Sequence, residues 1–521
     1  MTRRFLNVML LLVFGFPHFM PAAGEERTIN VSLGDCIVMA MRNNLGVAIE
    51  VLNPEYGART VSLAKEKFMP VLAFSFMHYN ERQASYSWFD ASEEVDQVYN
   101  ISSAEIRQLI PTGGDLSVQF NTSKYDTNER AITINPSYRS MLKLNYRQPF
   151  LKDFGPSVAR KEIIIARNSL DIMRKDLEKT LQDTVYRVEE VFWNLVYTVE
   201  NLKIKESSLK LAQDLLERNK KAVKAGTMAS VNVLNAQTQV ASREAEILKA
   251  EAEVKNAEDN LKLITNLAAE NKEAELLRII PQVVLPAEKK DITPEEVMAV
   301  ALQTRPDLEA LRISLRNSEV NVSYARNQAL PDLSFSASLW SPGVSGTRLI
   351  YPPSDPFGAP ISKIPGGRSN SLKDVFGFKF RNVSFGLTLD IPLSDFLSRA
   401  EYAQAKVNLE QTTLELKNLE QEVLTEIKIA LREAEMNFKR IQALKTAREL
   451  AQKQLEAEEE KLRAGYSTSY FVLQYQSELS LQQSQELAAV IEYRLSLAKL
   501  SRGLGLGLVE NNIRIDDMLK K

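Results

Sequence analysis

Histidine and cysteine are almost absent from these 521 residues, which hold two His and one Cys. A single Cys makes no internal disulfide and no thiolate metal cluster. His18 lies in a segment read below as a leader, so the processed chain keeps only His78. That argues against His-based zinc sites and against Ser-His-Asp or Cys-His catalysis. Carboxylate-only or Lys-based catalysis stays open on this count. Net charge is small too: 65 Lys+Arg against 67 Asp+Glu give −2, unlike the basic balance of a nucleic-acid binder. Beyond the N-terminus no segment has 18 consecutive apolar residues. No spanning helix is therefore expected, and any membrane embedding would use strands. The composition leans away from an enzyme and toward a scaffold, channel or binding protein. No catalytic residue, metal site or cofactor is assigned.

Residues 1–24 read as a secretory signal peptide. Arg3 and Arg4 precede the apolar stretch Leu6 to Phe16, Pro17 and Pro21 break it, and Ala22-Ala23-Gly24 supplies small residues for cleavage. A lipid anchor on Cys36 is not expected, because Asp35 precedes it and it sits far past the apolar run. Removing Arg3 and Arg4 leaves 63 basic and 67 acidic residues.

The remainder is written twice. Val31–Asn44 aligns with Ile292–Arg305 at an offset of 261, which also sets Ala64 on Ala325, Pro70 on Pro331, Leu72 on Leu333 and Phe74 on Phe335. Further on the offset becomes 239, setting Ala225-Gly226 on Ala464-Gly465, Val233-Leu234 on Val472-Leu473 and Gln237 on Gln476. The expected organisation is a first repeat over 25–270, a linker over 271–290 punctuated by Pro281 and Pro286, a second repeat over 291–505, and a C-terminal tail over 506–521. Each repeat is predicted to run short helix, second helix ending before a Pro (near 54–69 or 306–329), strand region, very long helix, Gly-marked turn and returning helix.

Long helices are expected at about 156–225, 229–267, 394–464 and 468–502. Leu170, Met173, Leu177, Leu181, Val185, Val188, Phe192, Leu195, Val199 and Leu202 recur at intervals of three and four, a helical stripe. Seventy such residues make a rod of roughly 100 Å. Strands are expected at about 71–80, 140–150, 332–340 and 381–391. In the third, Leu333, Phe335, Ala337 and Leu339 alternate with Ser334, Ser336 and Ser338. In the fourth, Val383, Phe385, Leu387 and Leu389 alternate with Ser384, Gly386, Thr388 and Asp390. Such segments fit a membrane barrel or a half-buried soluble sheet; the leader favours the membrane. Asn80–Asn100, Ser123–Tyr138 and Ser341–Arg368 read as surface loops, with an extra hairpin turning at Pro111–Gly114. Glu456–Glu460 reads as a solvated helix face.

Four strands cannot close a membrane barrel, and an open edge cannot face lipid. Several chains must then share one wall: three give twelve strands, or eighteen if the Pro111–Gly114 hairpin joins it.

The residues that carry a resemblance are Val31–Asn44, Ala64–Pro70 with its repeat Ala325–Pro331, Gln148-Pro-Phe-Leu151, Phe154-Gly-Pro156, and above all the two turns Ala225–Leu234 and Ala464–Leu473. In this doubled order, from about Val31 to Gly505, the sequence resembles the TolC-like outer-membrane efflux proteins. The resemblance implies a mostly α, α+β membrane protein: a homotrimer whose outer-membrane β-barrel continues into a long periplasmic α-helical barrel. It implies a passive duct of a tripartite efflux or type I secretion system in a Gram-negative bacterium, with outer-membrane lipid, a periplasmic adaptor and an inner-membrane pump as partners. It implies no chemistry of its own, no cofactor and no nucleic acid. Adaptor contact is expected at the tips, Gly226, Thr227, Ser230, Gly465, Tyr466 and Ser467. The family's acidic pore constriction falls here on Asn232, Phe471 and Gln474, which suggests an aromatic or amide gate. A periplasmic coiled-coil adaptor, or a structural protein without a barrel, is the competing expectation.

Overall fold

The computed structural model describes residues 28–515 apart from 91, 131, 268–276, 284–288, 290–292, 356–357 and 393–395. The leader read over 1–24, most of the linker and the end of the tail lie outside the described residues.

The first half begins with β1 (Thr28–Val31), α1 (Leu33–Asn43) and α2 (Leu45–Glu66). Four strands follow, β2 (Val71–Ala84), β3 (Glu94–Leu109), β4 (Asp115–Thr127) and β5 (Ile134–Pro149). The single turn α3 (Pro156–Ala159) leads to α4 (Lys161–Lys224) and α5 (Val231–Thr265). The second half runs β6 (Arg278–Pro281), α6 (Pro294–Thr304), α7 (Pro306–Gln328), β7 (Asp332–Ile350), β8 (Ser362–Ile364), α8 (Arg368–Phe376) and β9 (Asn382–Asp390). It ends with α9 (Phe396–Arg463), α10 (Ser469–Gly503) and α11 (Gly507–Glu510).

Local chemistry explains the short elements. Ser32 and Asp35 exchange side chain-to-backbone hydrogen bonds at 3.2 and 3.1 Å, a capping box that starts α1. Asn44 ends α1 and caps α2, its Oδ1 accepting from Gly46 N at 2.9 Å. The second helix, expected near 54–69, starts earlier: α2 begins at Leu45 and carries Pro54 inside it. The run from Pro156 is likewise broken at Arg160, between α3 and α4.

The long helices have 64 residues in α4 and 68 in α9, each about 100 Å at the usual rise. α4 pairs with α5, α9 with α10, and α10 also packs on α4. Their cores are separate along the rod. One gathers Ile37 and Val47 of α1 and α2 with Leu177, Val188, Phe192 and Leu195 of α4, Leu261 of α5, Ile491 of α10 and Leu508 of α11. Another, toward the turns, joins Ala212, Leu215, Ala236, Val240, Leu455, Val472 and Leu473. Small residues at these crossings allow close approach. Parallel β1 and β6 form a two-stranded sheet beside the first core. The end of α10 docks back on α4: Gln182 Nε2 donates to Gly505 O at 2.9 Å, and Arg502 pairs with Asp183 at 2.6 Å; α11 of the tail packs on α4 as well.

The large sheet runs β2-β3-β4-β5-β7, with β8 and β9 both pairing β7, and all its pairings are antiparallel. The Pro111–Gly114 hairpin thus lies in the sheet, between β2 and β5, giving six long strands rather than four. Gly113 at φ +98 makes its turn. Among the described residues the sheet does not close; β2 is one edge and β8 with β9 the other.

Three loop expectations are corrected. β2 runs to Ala84 and β3 starts at Glu94, β4 runs to Thr127 and β5 starts at Ile134, and β7 runs to Ile350. Cross-strand pairs sustain the first extension: Arg82 with Asp96 at 2.6 Å, His78 with Asn100 at 2.7 Å, and the stacked Tyr79–Tyr99 rings; at the second, Asn135 Nδ2 donates to Thr127 O and its Oδ1 accepts from Thr127 N. Pro342 is tolerated in β7 because residues 341–346 pair only with β5, so their other side is an edge.

Candidate channel wall and helix tips

Register decides what the sheet presents. Leu72 faces Ile106, Ile106 faces Val118, Val118 faces Leu144, Leu144 faces Leu339, and Leu339 faces Val383. One row across six strands is therefore wholly aliphatic. Phe74, Phe120, Leu142, Phe335, Phe385, Leu387 and Leu389 lie on the same face by strand parity. Phe74, Phe385 and Leu387 are 75, 74 and 70 % exposed, which leaves a large apolar surface without cover in the single chain.

The opposite face is polar. Arg107, Ser117, Asn145, Ser338 and Ser384 form the row adjoining the aliphatic one. Asn145 Nδ2 donates to Ser117 Oγ at 3.2 Å and Ser338 Oγ to Asn145 Oδ1 at 2.9 Å. Arg147 bridges to Asp332 at 2.8 Å. One sheet thus carries a lipid-like face and a water-like face, the alternation of a membrane strand. No helix among the described residues is long and apolar enough to cross a membrane.

The two tips are built alike. Gly226 and Gly465 take φ +75 and +81. The N–H groups of Gly226 and Thr227 donate to Val223 O and Ala222 O, both at 3.0 Å. Those of Gly465 and Tyr466 donate to Leu462 O and Lys461 O at 3.1 and 2.8 Å. Each is a Schellman turn that satisfies the last carbonyls of a long helix. Nothing lies within 4 Å of where a Cβ would stand at either glycine, so backbone conformation, not crowding, requires them. Tyr466 is 87 % exposed. Ser467 hydrogen-bonds Glu458, which Lys461 also meets at 3.0 Å. Glu458 is buried, which corrects the reading of Glu456–Glu460 as a wholly solvated face: this one carboxylate is turned into the tip.

Phe471 and Gln474 lie on successive turns of α10, both exposed, and the Phe471 ring meets Tyr470 edge-on at 5.6 Å. Gln474 lines a cleft with Asn235, Thr238, Gln239 and Tyr470. Asn232 lies on α5, half-buried, its main-chain oxygen accepting from Asn219 Nδ2 at 3.3 Å.

Two residues that organise the tips were not anticipated. Asn219 of α4 is 1 % exposed and joins Asn232 to Ser469 Oγ, which donates to Asn219 Oδ1 at 2.9 Å. Arg243 of α5 is 5 % exposed and donates to Ser208 O, Leu473 O, Ser477 Oγ and Gln476 Oε1. The signal was present: both occupy core positions of helical stripes, Asn219 after Ala212 and Leu215, Arg243 after Ala236 and Val240.

Comparison with known proteins agrees with this architecture. Solved structures with the same fold include the outer membrane channel CmeC of Campylobacter jejuni (14 % identity, TM-score 0.64, covering 93 % of this chain and 90 % of that one). They also include the outer membrane protein VceC of Vibrio cholerae (15 %, 0.61, 91 % and 96 %) and the open state of the Neisseria gonorrhoeae outer membrane channel MtrE (17 %, 0.59, 91 % and 89 %). No curated protein sequence matches. The family described as Outer membrane efflux protein matches residues 115–267 and 297–506, well over half of the chain. With its doubled helical hairpins and two-faced sheet, this chain belongs to the outer membrane efflux protein family.

Proposed function

We propose that three copies of this chain form a passive export duct through the outer membrane of a Gram-negative bacterium, with the long helices closing a tube in the periplasm. The observation that carries this reading is the aliphatic row from Leu72 to Val383 on a sheet whose two edges are unpaired among the described residues. Unpaired strand edges cannot stand in lipid, and six strands per chain make eighteen in a trimer, with the polar rows lining the bore. The duct serves a tripartite efflux or type I secretion system. An inner-membrane pump supplies the energy, and a periplasmic adaptor engages Gly226, Thr227, Ser230, Gly465, Tyr466 and Ser467. Asn232, Phe471 and Gln474 ring the narrowest point.

Fractionation of cells followed by electrophoresis without boiling tests this. The expected result is an oligomer band of three chains in the outer-membrane fraction that collapses on heating. Recovery of the monomer in the soluble periplasm overturns it and favours a coiled-coil adaptor or structural protein.

A further inference from the structure

On its apolar face the sheet carries a helix. α8 lies across β5 and β7: Ser371 Oγ is 3.0 Å from Ser140 Oγ, the Phe376 ring stacks on Phe120 at 5.8 Å, and Arg368 sits 5.6 Å over the Tyr138 ring. Ser371 and Val375 are fully buried by this docking. Gly343 makes it possible, because a Cβ there would stand 2.1 Å from Ser371 O.

The level of docking matters. Thr122, Ser140 and Gly343 form the row where this face stops being apolar, two rows beyond the aliphatic one and away from the long helices. α8 covers that boundary. From it the chain descends toward Val383 through Lys373-Asp-Val-Phe-Gly-Phe-Lys-Phe-Arg381. Phe376, Phe378 and Phe380 are 61, 40 and 50 % exposed. Arg368, Lys373, Lys379 and Arg381 are exposed too, against one acid in the segment, Asp374, which pairs with Lys379 at 3.1 Å. Exposed rings interleaved with cations, at the upper rim of an apolar belt, match the junction of acyl chains and phosphate headgroups.

We propose that α8 and the segment through Arg381 form a binding surface for a phosphate-bearing glycolipid of the outer leaflet. The rings of Phe376, Phe378 and Phe380 lie along its acyl chains, and Lys373, Lys379 and Arg381 meet its phosphates. This rests on the membrane reading above, and the charge complementarity, continuous with the apolar belt, is what selects the occupant.

The test is native mass spectrometry of the full-length oligomer, purified in detergent and titrated with bis-phosphorylated lipid A, with dephosphorylated lipid A, and with lipid A in the presence of inorganic phosphate. The expected result is stoichiometric retention of the phosphorylated lipid, lost about a hundredfold in the triple variant Lys373→Gln, Lys379→Gln, Arg381→Gln, at roughly fivefold per cation. The charge-conserving double variant Lys379→Arg, Arg381→Lys should retain the lipid as the wild type does. Equal retention of the dephosphorylated lipid, or of lipid A by the triple variant, overturns the proposal while leaving the channel reading intact. Displacement by millimolar inorganic phosphate overturns it in favour of a free-anion site. Recovery of the wild-type chain outside the membrane fraction removes both readings together.

Discussion

Arg243 on α5 donates from its guanidinium to the main-chain oxygen of Leu473 on α10 at 3.2 Å. Its other nitrogen reaches Ser208 O on α4, so one buried cation fastens the first helical hairpin to the second. Arg243→Ala leaves those carbonyls without their donor, a loss of about 2–3 kcal/mol. Arg243→Lys keeps the charge but not the planar fork that spans two helices, so it should recover only part. The expected outcome is a lower melting temperature for both, alanine lowest. A melting curve for Arg243→Ala that overlays the wild type refutes the clasp.

The aliphatic row makes a sharper demand on the wall. Leu144 and Asn145 are neighbours in β5 but face opposite ways. Leu144→Arg puts a cation at mid-belt, which costs about 2–4 kcal/mol in a membrane barrel. Asn145→Arg places the same charge on the polar face. Leu144→Arg should reduce the heat-resistant oligomer recovered from outer membranes, and Asn145→Arg should leave its amount unchanged while altering ion selectivity. Equal losses from both variants mean that the two faces do not see different solvents.

How much of this was legible follows from which forces act locally. The alternation of Leu333, Phe335, Ala337 and Leu339 with serines announces a strand wherever it occurs, because burial with period two leaves a pattern in the chain itself. The glycines at 226 and 465 announced turns for the same reason: φ is set by one residue. β7 beyond Trp340 was not legible, since Pro342 and Gly343 spell a loop until one knows that the pairing with β9 ends at Trp340, leaving an edge at Pro342, and that α8 lies over Gly343. Gly343 serves a helix some 25 residues away, and no local signal reports a tertiary contact. Asn219 and Arg243 fall between these cases. A polar residue at a core position of a stripe is visible, but what it bonds to depends on how the hairpins meet.

The tip glycines are a test of conformation alone. Both hold positive φ in open space. Gly226→Ala and Gly465→Ala should each cost about 1–2 kcal/mol from the left-handed backbone, and Gly→Asn less, because Asn visits that region more readily. Chemical denaturation of the single variants reads this out. If alanine and asparagine behave alike, backbone strain is not the reason for glycine there.

Acid titration should act on the docked tail. Burial against α11 pushes the Glu189 carboxyl up to about 7, with Glu510 adding to the shift. Between the unfolded carboxylate's usual value and about 7 the folded chain holds the extra proton, so stability falls as pH rises through that window and stays lower above it. Glu189→Gln removes this slope. It should match the wild type near pH 4 and exceed it at pH 8 by an amount on the order of 2–3 kcal/mol. Thermal melts at the two pH values decide it, and a variant gain that is equal at both attributes the effect to packing instead of ionisation.

Phe471 tests the closed state. On the proposed reading Asn232, Phe471 and Gln474 would meet ions at the tip with amides and a ring. A threefold ring of Phe471 would close by excluding water, because an apolar constriction makes hydrated ions shed water without replacing it. Its ring meets Tyr470 edge-on, and at 47 % exposure it is not spent in the helix core. In planar bilayers Phe471→Ala should raise the closed-state current several-fold, while Phe471→Leu, apolar and nearly as large, should stay closed. Multivalent cations should block neither the wild type nor these variants, for want of carboxylates at those three positions, whereas Phe471→Asp should acquire such a block. A closed-state current unchanged by Phe471→Ala places the constriction elsewhere on the tip.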